Sequence, residues 1–274
     1  MKVAYLGPKG TFSEEAAHRY FTEDSVEWHM SDSVLDVMEA VCEGTVDKGI
    51  VPIENSIEGT ITMTVDGLLT YDLFIEGEVV LPVALHLLTN EGAVLRDLQE
   101  VWSIPPALAQ CRNYTRKLGV KYRQFDSTAS AAEAVKHSGK TDVAAVASEW
   151  AAKAFGLEVL ERNIQDNSVN HTRFVIVSKN LNAQEANGKT MLLVTPKEEQ
   201  VGVLSTILNV FSALSINLTW IESRPTKKKL GTYQFFLEAE AGVTGRSLNK
   251  AITILQTLEH DVRILGSFTT TRLN

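Results

Sequence analysis

Basic residues are outnumbered, cysteine is nearly absent and long apolar runs are missing, and each shortage removes a class of function. Lysine and arginine total 26 against 34 acidic residues, a formal charge of −8. A surface of that sign disfavours nucleic acid as a partner. The two cysteines, Cys42 and Cys111, lack metal-ligand spacing; so few thiols suit a reducing, cytoplasmic setting. No run of about 18 apolar residues occurs, so no membrane-spanning helix is expected. The N-terminal stretch Met1–Gly7 shows no signal-peptide core and enters a strand at once. Nucleotide, hydrolase and zinc-protease signatures (G-x-x-x-x-G-K-[ST], G-x-G-x-x-G after a strand, G-x-S-x-G, H-E-x-x-H) are all missing. The six histidines do not cluster. Neither a metal nor an organic cofactor is expected, which leaves a cofactor-free reaction or a binding module.

What is present is an ordinary globular chain of 274 residues, 44% apolar and 22% charged, long enough for two or three domains. A short strand, Lys2–Leu6, breaks at Gly7-Pro8-Lys9-Gly10, and a helix starts at Thr11-Phe12-Ser13-Glu14. Thr11 and Glu14 have capping-box spacing. A strand, a glycine turn and a helix N-terminus present free N–H groups and a positive dipole end to an anion. A second buried strand, Gly49–Ile53, runs into Glu54-Asn55-Ser56, where Asn and Ser can cap a helix or bond a ligand. Glu54 follows the apolar run directly and is expected to be partly desolvated. A third polar turn, Asn170-His171-Thr172-Arg173-Phe174, opens the apolar strand Val175–Val177. In open α/β sheets ligands bind beyond strand ends, so convergence of the three turns would make one site.

Between the second and third turns the pattern reads as another α/β lobe. The extended segment Val79–Leu88 is expected to cross into it, and the chain returns near Gln165. Asp126-Ser127-Thr128 caps an alanine-rich helix, placing Thr128 opposite the first lobe. After a polar, asparagine-rich stretch, strands and helices alternate as βαββαβ, the ferredoxin-like split βαβ order. The expected division is residues 1–180 as a bilobal domain, 181–189 as linker and 190–274 as the second domain. Lobe one takes about 1–78 and 165–180, and lobe two about 79–164.

The turns Gly7–Ser13, Val51–Ser56 and Asn170–Phe174 together resemble the prephenate dehydratases. The C-terminal unit resembles their ACT regulatory domain, with Glu222-Ser223-Arg224-Pro225 matching an E-S-R-P motif. The resemblance spans essentially the whole chain. It departs from the family pattern at Gly202-Val203-Leu204, where G-A-L is common, and at Ile104-Pro105-Pro106, where many members have H-P-Q. It implies a type 2 periplasmic-binding-protein-like catalytic domain followed by an ACT domain. It also implies conversion of prephenate to phenylpyruvate, water and CO2 without a cofactor, with phenylalanine as inhibitor of a homodimer or homotetramer. The residues so implicated are Thr172 as proton donor and Thr11, Ser13, Asn55, Ser56, Thr128 and Arg173 for substrate. Gly202, Val203, Leu204, Glu222, Ser223, Arg224 and Pro225 are implicated for the effector. Arogenate dehydration and a non-catalytic bilobal amino-acid sensor are the alternatives, and a chorismate-mutase fusion is not expected.

Overall fold

A computed structural model describes residues 1–23, 25–181, 188–198 and 200–274. The expected linker, 181–189, falls mostly on 182–187, which lie outside the described residues. The first lobe contains β1 (Lys2–Leu6), α1 (Phe12–Tyr20), β2 (Glu27–Ser31), α2 (Val34–Glu43), β3 (Lys48–Asn55), β4 (Gly59–Thr60), α3 (Thr62–Thr70) and β5 (Phe74–Pro82). α1 starts where the Thr11 hydroxyl accepts the Glu14 N–H, and α2 where Ser33 accepts that of Asp36. The second lobe contains β6 (His86–Thr89), β7 (Glu100–Ser103), α4 (Pro105–Gln110), α5 (Arg112–Leu118), β8 (Lys121–Gln124), α6 (Thr128–Ser138), β9 (Val143–Ala147), α7 (Glu149–Phe155) and β10 (Glu158–Glu161). The chain then returns to the first lobe as β11 (His171–Ser178), inserted between β3 and β5 and antiparallel to both. The sheets run β2-β1-β3-β11-β5 in lobe one and β10-β6-β9-β7-β8 in lobe two.

The crossing between lobes lies at Val83–Leu85, beyond the expected position near Val79. Val79, Val80 and Leu81 each pair with β11, so the apolar run is strand interior that reads as a connector only in isolation. The two crossing segments are bonded to one another: the Val83 N–H donates to Asn170 O (2.8 Å) and the Ile164 N–H to Leu85 O (2.9 Å). They form a double-stranded hinge at the back of the cleft.

Beyond the linker come β12 (Lys189–Thr195), α8 (Val203–Ala213), β13 (Leu218–Pro225), β14 (Tyr233–Ala239), α9 (Arg246–Thr257) and β15 (Asp261–Phe268). Their sheet runs β13-β14-β12-β15, the expected βαββαβ unit. Strand alternation gives it two apolar faces. Leu192 and Val194 pack with Ile207, Phe211 and Leu255 under the helices. Met191, Leu193, Trp220 and Phe236 pack instead with Val65, Leu68 and Ile75 of lobe one. A Cβ at Gly266 would stand 2.0 Å from Ile75 O, so only glycine lets β15 approach β5 this closely. A last strand, β16 (Thr270–Arg272), leaves the C-terminal sheet and pairs parallel to β5. Residues 270–272 therefore belong to the lobe-one sheet, although the pattern groups them with 190–274. The pairing covers what would be an open sheet edge.

One buried histidine marks the hinge side of lobe two. His86 is 5% exposed, and its Nδ1 accepts the Asn163 N–H at 3.0 Å. Burial holds its pKa below the ordinary 6.5, against the pull of Glu149. Between the two values the unfolded chain binds more protons, so stability rises with pH in that window. Stability should therefore fall as pH drops below about 6.5 and level off below the folded-state value. Urea midpoints between neutral and mildly acid pH measure the slope; His86→Asn, which keeps an acceptor near Nδ1 but does not titrate, should flatten it.

Candidate active site

The three polar turns meet the start of α6 at one cleft of about 360 Å³ between the lobes. It is lined by Thr11, Ser13, Asn55, Thr128, Asn170 and Thr172, with Phe12, Ile61, Val83, Leu85 and Ile104 as its apolar wall. β3 and β11 run antiparallel with Asn55 opposite Thr172 and Glu54 opposite Arg173. Facing residues share a side of the sheet. Asn55 and Thr172 thus turn to the cleft, while Glu54 and Arg173 turn away from it.

Asn55 is the hub. Its Oδ1 accepts two backbone N–H groups, from Ile57 (2.9 Å) and Glu58 (3.0 Å). Backbone N–H groups only donate, so this fixes the amide orientation and points Nδ2 at Thr172 Oγ1 (3.0 Å) and Asn170 Oδ1 (2.9 Å). Because the threonine oxygen accepts from Asn55, its own O–H remains available to donate. The chain continues: Asn170 Nδ2 donates to Gln110 Oε1 (2.9 Å), and Gln110 Nε2 donates to Glu58 Oε1 (3.0 Å). An amide relay thus joins both lobes to one hydroxyl. Gln110, Asn170 and Glu58 were not among the sequence candidates. Asn170 had a signal, since it adjoins the Thr-Arg-Phe turn; Gln110 had only its place at the end of a helix opened by proline.

No lysine, arginine or histidine is among the described residues lining the cleft, whereas two helix N-termini open onto it. α1 enters from lobe one with Thr11 as N-cap, its hydroxyl donating to Leu6 O. α6 enters from lobe two with a capping box between Ser127 and Ser130, and Thr128 is its first residue. The first N–H groups of each helix have no partner within the helix. Two positive helix ends therefore face one cavity from opposite walls.

Other reactive groups nearby are committed elsewhere. Glu14 is 7% exposed and accepts from Gly10 N (2.7 Å), Tyr5 Oη (3.2 Å) and, across the lobes, Trp150 Nε1 (2.7 Å). Burial and Glu14 together push the Tyr5 phenol up to about 12. Cys111 is fully buried and its thiol is pushed up to about 12, so it offers no thiolate nucleophile.

Two substrate candidates do not reach the cleft. Ser56 clamps strand to turn: its Oγ accepts the His171 N–H (3.0 Å), and its own N–H donates to His171 O (2.9 Å). β3 continues through Asn55, so Ser56 falls on the opposite side from it. Arg173 donates to Glu54 (2.8 Å), to Glu78 and, across the domain boundary, to Glu238. Burial alone would lower its pKa, but Glu238 and Glu78 outweigh that and raise it.

The effector candidates divide as well. Gly202 caps α8 at φ +86°, a conformation that favours glycine, and Val203 and Leu204 pack against the helix-side core. Val203 lines a cavity of about 370 Å³ with Lys197, Gln200 and His260, whose lining includes none of Glu222–Pro225. Alternation along β13 turns Trp220, Glu222 and Arg224 to lobe one. Glu222 accepts from Thr60 (2.9 Å), and Arg224 grips Asp66 through two bonds (2.8 and 2.9 Å). Within one chain, then, Glu222 and Arg224 are interdomain contacts; Ser223 and Pro225 are exposed.

Fold and site define a bilobal enzyme with a cleft between its lobes and an ACT regulatory domain. The family model for prephenate dehydratase matches residues 3–182. The prephenate dehydratase of Bacillus subtilis is 34% identical over 98% of this chain and 98% of its own. An arogenate dehydratase/prephenate dehydratase of Arabidopsis thaliana is 38% identical over 98% of this chain and 72% of its own. A prephenate dehydratase from Arthrobacter aurescens solved in complex with L-Phe superposes with a TM-score of 0.89 at 32% identity, covering 98% of this chain and 90% of that one. The chain belongs to the prephenate dehydratase family.

Proposed function

We propose that the cleft binds prephenate and that Thr172 protonates its departing hydroxyl, giving phenylpyruvate, CO2 and water. The observation that carries this reading is the Asn55 Nδ2–Thr172 Oγ1 bond, 3.0 Å long, with the amide orientation fixed by two backbone donors. The substrate is a dianion, and helix ends α1 and α6 supply one anion position on each lobe. Its ring suits the apolar wall formed by Phe12, Ile61, Val83 and Leu85. The ring C–COO⁻ bond breaks, its electron pair aromatises the ring, and the C–O bond breaks with the hydroxyl leaving. Thr172 gives that oxygen its proton, water departs, and the threonine oxygen regains a proton from solvent. While the proton is in transit Asn55 donates to the oxygen that becomes negative, a positioned donor where charge develops. Thr11 and Ser127 hold the helix ends in place; Ser13 and Thr128 face the bound carboxylates.

Purified protein given prephenate should release phenylpyruvate with no added metal or cofactor; absence of the product would overturn the reading. Arogenate is the second reading, favoured by Glu58 and Asp126 on the cleft wall, since a carboxylate suits an ammonium better than a keto group. The ratio of kcat/KM for the two substrates decides between them. Phenylalanine is the proposed effector, bound between the regulatory domains of a homodimer or homotetramer near Gly202–Leu204, where Val201 stands exposed. Among the described residues no helix is long and apolar enough to cross a membrane. A cytoplasmic location fits the free thiols of Cys42 and Cys111.

A further inference from the structure

Thr172 and Arg173 are consecutive on β11, and their side chains leave opposite faces of the sheet. One lines the cleft. The other enters a cluster of charges that joins the catalytic lobe to the regulatory domain. Arg173 reaches Glu78 of β5 and Glu238 of β14, and Lys189 of β12 bridges the same two carboxylates at 3.2 and 3.0 Å. Glu238 is 0% exposed and Glu78 1%, so both carboxylates are held by protein partners and not by the open surface. A buried cluster of this kind gives little net stability over apolar packing, and its best-attested use is to fix one arrangement against another. The surrounding cavity of about 420 Å³ leaves it room to rearrange.

The neighbouring strand bulges at this level. Between the Arg173–Glu54 and Phe174–Pro52 pairs β3 carries one extra residue, Ile53, so the Thr172–Asn55 and Arg173–Glu54 pairs lie beyond the bulge from the core pairing of Phe174–Val177. β11 itself is regular there and pairs with β5 without interruption from His171 to Ile176. Bulges next to active sites re-aim side chains. Thr172 and Arg173 are adjacent on one regular strand, so a displacement of the Arg173 backbone carries Thr172 with it.

We propose that Arg173 is a positioning residue through which Glu238 of the regulatory domain sets where β11 presents Thr172 to the substrate. The inference rests on Thr172 being the proton donor proposed above. A shift of β14 against lobe one would pull on Glu238, draw the guanidinium with it and change the Thr172–Asn55 geometry. Substrate binding by the helix ends would be left in place. The link thus acts on kcat and spares KM.

The test uses the full chain. Glu238→Gln keeps size and an acceptor but removes the one carboxylate charge that the regulatory domain offers Arg173. Its kcat on prephenate should fall about tenfold with KM within about twofold, the scale of a coupling contact. Thr219→Val removes a different bond to Glu238 and leaves Arg173 its partner; its kcat should stay within about twofold of wild type. Wild-type kcat in Glu238→Gln, an equal loss in Thr219→Val, or a rise in KM that accounts for the loss would each overturn the link. If Glu238→Gln does not fold, Arg173→Lys decides: it keeps the positive charge but cannot span three carboxylates, and unchanged kcat would end the proposal. Wild-type turnover is read first, because its absence refutes the proposed reaction, whereas wild-type turnover with an unaffected variant refutes only the link.

Discussion

Thr172→Ala folds, still binds substrate, and turns it over about 10²–10⁴ times more slowly, the range for loss of a positioned acid. The argument is geometric. Thr172 Oγ1 accepts from Asn55 and lies at the cleft, so the side chain carries no packing or capping bond whose loss would unfold the lobe. Its backbone pairing with Asn55 and Leu81 survives the substitution. Loss should therefore appear in kcat, with KM little changed, because the bond to the leaving oxygen strengthens only as charge develops. Thr172→Ser restores the hydroxyl and should recover most of the rate. Steady-state assays of phenylpyruvate release, with circular dichroism as a check on folding, measure both; near-wild-type kcat in the alanine variant would remove Thr172 from the chemistry.

Arg173→Met lowers stability by about 3–5 kcal/mol, the cost of breaking a buried pair and stranding its partners. Two carboxylates, Glu78 and Glu238, are left with Lys189 as the cation they share. Burial alone would raise the Glu78 carboxyl; Arg173, the Thr270 hydroxyl and Lys189 outweigh it and hold it below the ordinary value. That stability is present above the unfolded carboxylate pKa and is lost as pH falls through the folded value. The penalty of Arg173→Met should accordingly shrink in acid, where protonation of Glu78 relieves the stranded charge. Denaturant titrations at neutral and acid pH give the comparison, and a penalty that does not change with pH would rule out the charge account.

Much of this was legible in the chain because local rules and tertiary structure agree. Thr11 and Ser127 announce helix starts, the βαββαβ order survives intact, and period two along β11 already separates Thr172 from Arg173. The failures come where an element's extent, not its type, decides a face. Reading Asn55-Ser56 as a turn puts both residues in the site. Because β3 runs on through Asn55, alternation sends Ser56 to His171 instead. The same rule turns Glu222 and Arg224 toward Thr60 and Asp66. The crossing slid from Val79 to Val83 because a strand buried on both faces has the same apolar look as an extended connector. Gln110 and Glu58 were invisible for another reason: their roles exist only when two lobes meet, and no local pattern records that meeting.

The parallel pairing of β16 with β5 has a consequence for how the molecule is made. Residues 270–272 leave the ribosome only after the whole regulatory unit, yet they occupy the outer rim of the sheet that carries Thr172. A half-synthesised chain would hold its catalytic lobe with a ragged, sticky border, open to pairing with other nascent chains. The rim of the catalytic sheet is thus closed by the segment that follows its controller in the chain.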